Sequence, residues 1–180
     1  PVRDVVAWTA LIGGYVKHGR GKEALDCFDQ MRCENVLPNT VTYICIFKAC
    51  SIVGAIDEGV EIHAEASEKK LEGDIRLAST LIDMYAKLDN MEEACKVFRR
   101  IKDPNVVTWN TLIDAHGHGH ALKALELFEE MQAKPIVPDE ILLVTALKPC
   151  TGTRALNHGR FIHACIIKKG YVIDAIIGDS

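Results

Sequence analysis

The stretch that decides the fold is Val106 to Asp139, VVTWNTLIDAHGHGHALKALELFEEMQAKPIVPD. Its first half places Trp109, Leu112 and Ile113 on one stripe. Its second half does the same with Ala124, Leu125, Leu127, Phe128 and Met131, leaving Glu126, Glu129 and Glu130 on the wet side. Apolar residues three and four apart make two short amphipathic helices. The Gly117-His118-Gly119 segment turns the chain between them, and Pro135 and Pro138 end the second helix. One such hairpin buries too little to stand alone, so it must stack on neighbours.

The neighbours are copies of it. Trp8, Leu11 and Ile12 precede Trp109, Leu112 and Ile113 by 101 residues, and Ala24, Leu25, Phe28 and Met31 precede Ala124, Leu125, Phe128 and Met131 by 100. One residue is therefore lost inside the later copy. Between the copies lie a variant unit, with Tyr43, Phe47, Gly59 and His63 in register, and a shorter unit carrying Leu81, Ile82, Tyr85, Ala94 and Phe98. The variant recurs 100 residues on, where Cys50, Gly59, His63 and Asp74 become Cys150, Gly159, His163 and Asp174.

The units run 5–39, 40–74, 75–105, 106–139 and 140–174, and 175–180 opens a further short one. A period of this size predicts an all-α, right-handed superhelical solenoid of helix-turn-helix repeats, one array over 1–180. Helices are expected near 7–17, 21–34, 40–52, 56–71, 75–87, 90–101, 107–116, 121–133, 140–150 and 155–169, with Pro149 shortening the ninth. Both ends fall inside the pattern, as in a piece of a longer array.

Composition narrows the function. The 180-residue chain is 48% hydrophobic with net charge −4, so it has no global attraction for nucleic acid or acidic membranes, and any anion-binding surface must be local. No apolar run reaches transmembrane length, and PVRDVVAW is no signal peptide. Seven cysteines, an odd count without CxxC and mostly on apolar faces, are expected as reduced core thiols of an intracellular protein.

The VVTWNTLI opening, the KALELFEEM second helix and the Pro-Asp or Pro-Asn exit resemble pentatricopeptide repeats, which read about one RNA base per helical repeat. The order of long, variant and short units is similar to the mixed-repeat (PLS) subclass of land-plant organellar proteins, with long P-type, variant L-type and short S-type units. TLIDMYAK with EEACKVF resembles the S-type, and the Gly-x-x-x-His-Ala segments at 59–64 and 159–164 resemble the L-type. The tetratricopeptide repeat has similar spacing. It prefers smaller residues where Ile12, Ile82, Ile113, Met31 and Met131 stand, and it fits lengths of 35 and 31 less well.

The resemblance implies where RNA would be read. The base-edge residue comes four after each unit start, and its partner closes the unit. The pairs are Thr9/Asn39, Ile44/Asp74, Ser79/Asn105, Asn110/Asp139 and Val144/Asp174. Thr with Asn implies adenine, Ser with Asn a weaker adenine, and Asn with Asp uracil with cytosine tolerated. Ile44 and Val144 cannot hydrogen-bond, so the L-type units should read little. The implied register is 5′-A-N-A-U/C-N-3′. Val6, Val41, Arg76, Val107 and Ile141 are implied to sandwich successive bases. The alternative for the valines is helix-entry packing, and for Thr9 and Asn110 a capping or first-turn role. An Asp at a unit end accepts only, so Asp139 is expected to steer the Asn110 amide. Lys17 and Lys87, near the ends of first helices, are expected at phosphates. The acids of the second helices are expected to form a merely solvated, convex face.

Enzymatic readings are weaker. His63-Ala64-Glu65 has the H-x-E form of a zinc deaminase, but no CxxC follows and His63 takes the core position of Phe28. His116, His118 and His120 lie in a glycine-broken turn without a completing ligand. No catalysis, metal or cofactor is expected. The resemblance implies a monomer that binds single-stranded RNA in a mitochondrion or chloroplast, targeting RNA editing or processing, with accessory editing-factor proteins as partners through the L-type units. The alternative is a helical scaffold for protein partners.

Overall fold

The computed structural model describes residues 3–117 and 121–147. These form nine helices and no strand: α1 (Val5–Lys17), α2 (Gly21–Cys33), α3 (Thr40–Val53), α4 (Ile56–Glu68), α5 (Ile75–Lys87), α6 (Met91–Arg100), α7 (Val106–Gly117), α8 (Ala121–Gln132) and α9 (Glu140–Leu147). The expected helix at 155–169, Pro149, His163, Asp174 and the unit at 175–180 lie outside the described residues. Two boundaries differ from expectation. The fourth helix stops at Glu68 and is followed by a short 3-10 turn at Leu71–Gly73. The seventh runs through Gly117, so His116 is a buried helical residue rather than part of a turn.

The chain divides into two compact units, one ending at Ile101 and the other beginning at Lys102, at the short exit before Pro104. In the first, α1, α3 and α5 lie side by side, with α2 packed on α1 and α3, α4 on α3 and α5, and α6 on α5. In the second, α7 packs on α8 and on α9. Within each unit, first helices therefore pack beside first helices, with second helices on them.

The same backbone bonds recur at the sequence period. Each hairpin turn of the first compact unit closes with an N–H donated back five residues: Arg20 to Tyr15 at 2.9 Å, Ala55 to Cys50 at 3.1 Å and Asn90 to Tyr85 at 2.8 Å. The residue before each donor is left-handed: Gly19 (φ 71°), Gly54 (φ 78°) and Asp89 (φ 58°). This is the helix-ending geometry that glycine favours and aspartate tolerates.

Packing follows the stripes. Trp8, Ile12, Phe28, Met31, Tyr43, Phe47, Leu81, Ile82 and Tyr85 are buried in the first compact unit, and Trp109, Ile113, Phe128 and Met131 in the second. Each such side chain contributes about 1.5–3 kcal/mol of burial. Leu11, expected in the core, is only half-buried, whereas its counterparts Leu81 and Leu112 are buried.

His63 fills the place that Phe28 holds in the first repeat. It is buried, and its Nδ1 lies 2.8 Å from the Tyr85 hydroxyl, with Phe47 edge-on at 6.5 Å. The expectation of a core histidine holds. The thiols divide. Cys27 and Cys50 are buried and Cys45 and Cys95 half-buried, but Cys33, expected inside, is exposed; none of the five is in a disulfide. Burial pushes the Cys50 thiol up to about 12, which makes it inert. No described helix is long and apolar enough to cross a membrane.

Two glycines predict opposite responses. A Cβ at Gly21 would stand 2.9 Å from the Ala49 carbonyl and 2.7 Å from Val53 Cγ1, where α2 starts against the end of α3. Gly14, inside α1, has nothing within 4 Å of that position. Gly21→Ala should cost about 1–3 kcal/mol by overpacking, and Gly14→Ala should add about 0.5–1 kcal/mol of helix stability. Urea unfolding midpoints check both signs.

Candidate nucleic-acid interface

The last residue of each repeat does a local job first. Asp4, Asn39, Asp74, Asn105 and Asp139 stand just before α1, α3, α5, α7 and α9. Their side-chain oxygens accept the N–H of Ala7 (2.8 Å), Thr42 (3.0 Å), Leu77 (3.3 Å), Thr108 (3.0 Å) and Leu142 (2.8 Å). All are helix N-caps. The capping role therefore falls on the unit-closing residues, and Thr9 and Asn110 lie inside the first turns. Sequence reasoning treated the closing residues only as base partners. The signal for a cap was present in every one: Asp or Asn directly before an apolar-periodic run.

The second residue of each of these first helices faces outward, while Val5, Thr40, Ile75 and Val106 before it are half-buried. Val6 is 68% exposed, Val41 47%, Val107 54% and Ile141 65%. Helix-entry packing is thus excluded for all four. They form an apolar stripe across the first helices of each compact unit, Val6 and Val41 in one, Val107 and Ile141 in the other. Arg76 takes this position on α5 but folds back, its guanidinium 3.1 Å from the Asp74 carboxylate. That guanidinium is the main reason the Asp74 carboxyl is held below the ordinary value of 3.8, with the Arg76 and Leu77 amides assisting against partial burial.

One turn further on, the pairs differ. Thr9 Oγ1 lies 2.7 Å from Thr42 Oγ1, which is 3.1 Å from Asn39 Oδ1, so Thr9 and Asn39 are joined through a third side chain. Ile44 is half-buried, and its partner Asp74 caps α5. Ser79 gives its hydroxyl proton to the Ile75 carbonyl at 2.8 Å. Its partner Asn105 belongs to the second compact unit. Asn110 is half-buried, and its Oδ1 is buried without a hydrogen-bond partner. Asp139 spends Oδ1 on the Leu142 amide rather than on Asn110, so the expected steering is not made directly. Val144 is half-buried, and Asp174 lies outside the described residues.

Lys17 and Lys87 are both exposed. Lys87 holds Asp83 at 2.7 Å. An exposed lysine that sequence reasoning missed, Lys48, shares a shallow groove with Lys87, Asp83, Val16, Ser51 and Ile52. It stands where the first repeat has Gly13, but it recurs as Lys148 in the second variant unit, 100 residues on, and that recurrence is the signal that could have flagged it.

The second helices carry the acid, but not all of it is merely solvated. Tyr43 donates to Glu65 at 2.7 Å, and Lys69 donates to both at 2.7 and 2.8 Å. Arg32 approaches Glu65 at 3.5 Å. Partial burial raises the Glu65 carboxyl, yet the hydrogen bonds from Lys69 and Tyr43 outweigh it and hold the group below its usual range. Glu58, without such partners, is raised by burial and by Asp29, Glu61 and Asp26. No group of three or more His, Cys, Asp or Glu that could hold a metal occurs among the described residues.

Comparison with known proteins agrees with this architecture. A model described as the PPR repeat family matches residues 3–51 and 104–141, and a PPR repeat model matches 78–106. A putative pentatricopeptide repeat-containing protein of Arabidopsis thaliana is 36% identical over 174 residues, covering 95% of this chain and 25% of its own length. The Arabidopsis protein CRR2, chloroplastic, is 36% identical over 163 residues, covering 89% and 25%. This chain spans about a quarter of those relatives. Among solved structures, maize PPR10 has a TM-score of 0.76 at 20% identity, covering 98% of this chain and 27% of that one. PPR10 in complex with an 18-nt psaJ RNA element has 0.72 at 22%, covering 95% and 29%. The PPR domain of Arabidopsis protein-only RNase P 1 in complex with tRNA has 0.77 at 18%, covering 97% and 95%.

Asp74 predicts a pH dependence. Asp74→Asn keeps a cap but loses the Arg76 pair, a loss of a few tenths of a kcal/mol at this exposed site. Because the folded value is depressed, the wild-type advantage is full above the ordinary 3.8 and disappears as pH falls through the folded value. Urea titrations of both proteins at neutral and acid pH check the sign.

Proposed function

The chain belongs to the pentatricopeptide repeat family, and on that premise we propose that it is a single-stranded RNA-binding segment without catalysis of its own. One observation carries the reading. Val6, Val41, Val107 and Ile141 stay exposed at the same place in four first helices. Folding leaves that apolar area unused, and flat bases suit it: stacking contributes about 1–3 kcal/mol per base. Short polar side chains sit one turn along, at Thr9, Ser79 and Asn110, where a base edge would present its donors and acceptors.

The solved PPR10 and RNase P 1 relatives carry RNA in their complexes, which supports the same partner here. Thr9/Asn39, Ser79/Asn105 and Asn110/Asp139 are then the reading pairs, and the pairs with Ile44 and Val144 contribute little. Lys17, Lys87 and Lys48 would meet phosphates. Arg76, tied to Asp74, would act more as a fixed cation than as a stacking plane. The alternation of long, variant and short units supports the PLS subclass, a monomer, and a role in targeting organellar editing or processing in a mitochondrion or chloroplast. Accessory editing factors would dock on the L-type units.

Two measurements test this. Asn110→Thr should move the preference at the fourth base from uracil toward guanine in binding assays with single-base RNA variants. An unchanged preference overturns the pair assignment, and no preference of the wild type over random single strands overturns the RNA reading in favour of a protein scaffold. Lys17→Ala with Lys87→Ala should weaken every RNA alike and lower the salt slope by about 1–2. A change in base preference instead would remove them from the phosphate role.

A further inference from the structure

Thr42 belongs to neither the base-edge nor the unit-closing set, yet it joins one to the other. It is fully buried in the first turn of α3. Its amide donates to Asn39 Oδ1 at 3.0 Å, and its hydroxyl accepts the Asn39 amide at 3.2 Å. The hydroxyl donates to Asn39 Oδ1 at 3.1 Å and lies 2.7 Å from Thr9 Oγ1.

A hydroxyl has one proton. We assign the Thr42 proton to Asn39 Oδ1 at 3.1 Å, and Thr9 is then the donor across the 2.7 Å Thr9–Thr42 contact, in which either oxygen can donate. Two consequences follow. The Thr9 hydroxyl points its proton into the protein and keeps lone pairs for the groove. The Asn39 amide is held with Oδ1 toward the helix terminus, because the flipped amide would set its NH2 against the Thr42 N–H. Nδ2 is left outward. The pair thus shows one acceptor and one donor in a fixed order.

On that basis we infer that Thr42 is the positioning residue that sets the hydrogen-bond polarity of the first reading pair, and so its choice between amino and keto bases. The inference rests on the RNA reading proposed above. Adenine and guanine are alike in size but opposite in order: adenine offers an exocyclic donor beside a ring acceptor, guanine an exocyclic acceptor beside a ring donor. A site of fixed polarity matches one order and sets like groups against the other. Were Thr9 free to turn, it could show the groove either its proton or its lone pairs, and both orders could be met.

Thr42 is not interchangeable with its counterparts. Thr108 has the same place after Asn105, but its hydroxyl donates to the Asn105 backbone carbonyl at 2.8 Å. Leucines follow Asp74 and Asp139 at that place. A carboxylate has two equal oxygens and needs no orienting.

The test compares RNAs that differ only by adenine or guanine at the base of the first repeat. Thr42→Val keeps the buried shape and removes the hydroxyl. Wild type should separate the two RNAs by roughly tenfold, in line with one good paired contact. T42V should bring the ratio to about twofold, and T42S should restore it. The uracil preference at Asn110 should not move. A T42V protein that keeps the full adenine-to-guanine ratio overturns the inference, as does a wild type whose ratio is already one. A urea-midpoint cycle over Thr9→Val and Thr42→Val needs no RNA. Non-additive shifts establish the link between the hydroxyls, and additive shifts overturn it even if RNA binds as proposed. A wild type that binds no RNA, with non-additive shifts, sinks the RNA reading and the specificity role together while leaving the bond standing.

Discussion

A helix begins with N–H groups that its own turns cannot satisfy, and each repeat here meets that need with the side chain that closes the repeat before it. Asn39, Asp74, Asn105 and Asp139 make those bonds to α3, α5, α7 and α9. The constraint reaches beyond stability. A cap pinned to the backbone cannot wander, so one edge of its side chain is always turned to the same place. The reading partner is therefore ordered before any ligand arrives, and binding need not immobilise it.

The second dependence is lateral. No hairpin covers its own stripe, so α3 serves at once as roof for α2 and as neighbour to α1 and α5. The variant repeat shows how much chemistry this tolerates. His63 replaces an aromatic carbocycle and survives burial because Tyr85 supplies a hydrogen bond at 2.8 Å. Tyr43, beside it in the stack, places its hydroxyl between Glu65 and Lys69. Aromatic faces run through Phe28, Tyr43, Phe47, His63 and Tyr85 with centroids 5.6–6.5 Å apart. A buried polar group needs a partner or it costs about 1–3 kcal/mol, and here each partner is a helix or more away in the chain.

That distance marks what sequence shows and what it hides. Periodicity is local, so the turns at Gly19 and Gly54 and the described helix ends are legible within three residues. Burial of Trp8 and Ile12 follows from the stripe alone. The half-burial of Leu11 does not, because Leu81 and Leu112 share its stripe position and are buried. Nor does the Glu65 network, which draws Arg32, Tyr43 and Lys69 from different elements. A list of acids on a helix face cannot distinguish Glu65, held charged by its donors, from Glu58, pushed toward protonation by other acids. Lys48 is hidden for another reason: the first, third and fourth units carry Gly13, Asp83 and Asp114 at that place, and the lysine recurs only as Lys148 in the second variant unit.

Charge placement resolves the tension between an acidic chain and a polyanionic ligand. At physiological salt, exposed charges more than about 8 Å apart are largely screened from one another, so the net value of −4 matters less than what lies nearest the groove. Lys17, Lys48 and Lys87 come from the first-helix layer, while Asp26, Asp29, Glu58 and Glu61 come from the second. Two of the near cations are already partnered, Lys87 by Asp83 and Arg76 by Asp74. Those carboxylates lower the local field, and a phosphate must compete with them. On the proposed RNA reading, such a surface would hold the RNA backbone weakly, which would leave a larger share of the binding free energy to stacking on Val6, Val41, Val107 and Ile141 and to the few oriented polar groups. A weak electrostatic background would then favour discrimination by the polar pairs, since strong phosphate contacts hold every sequence alike.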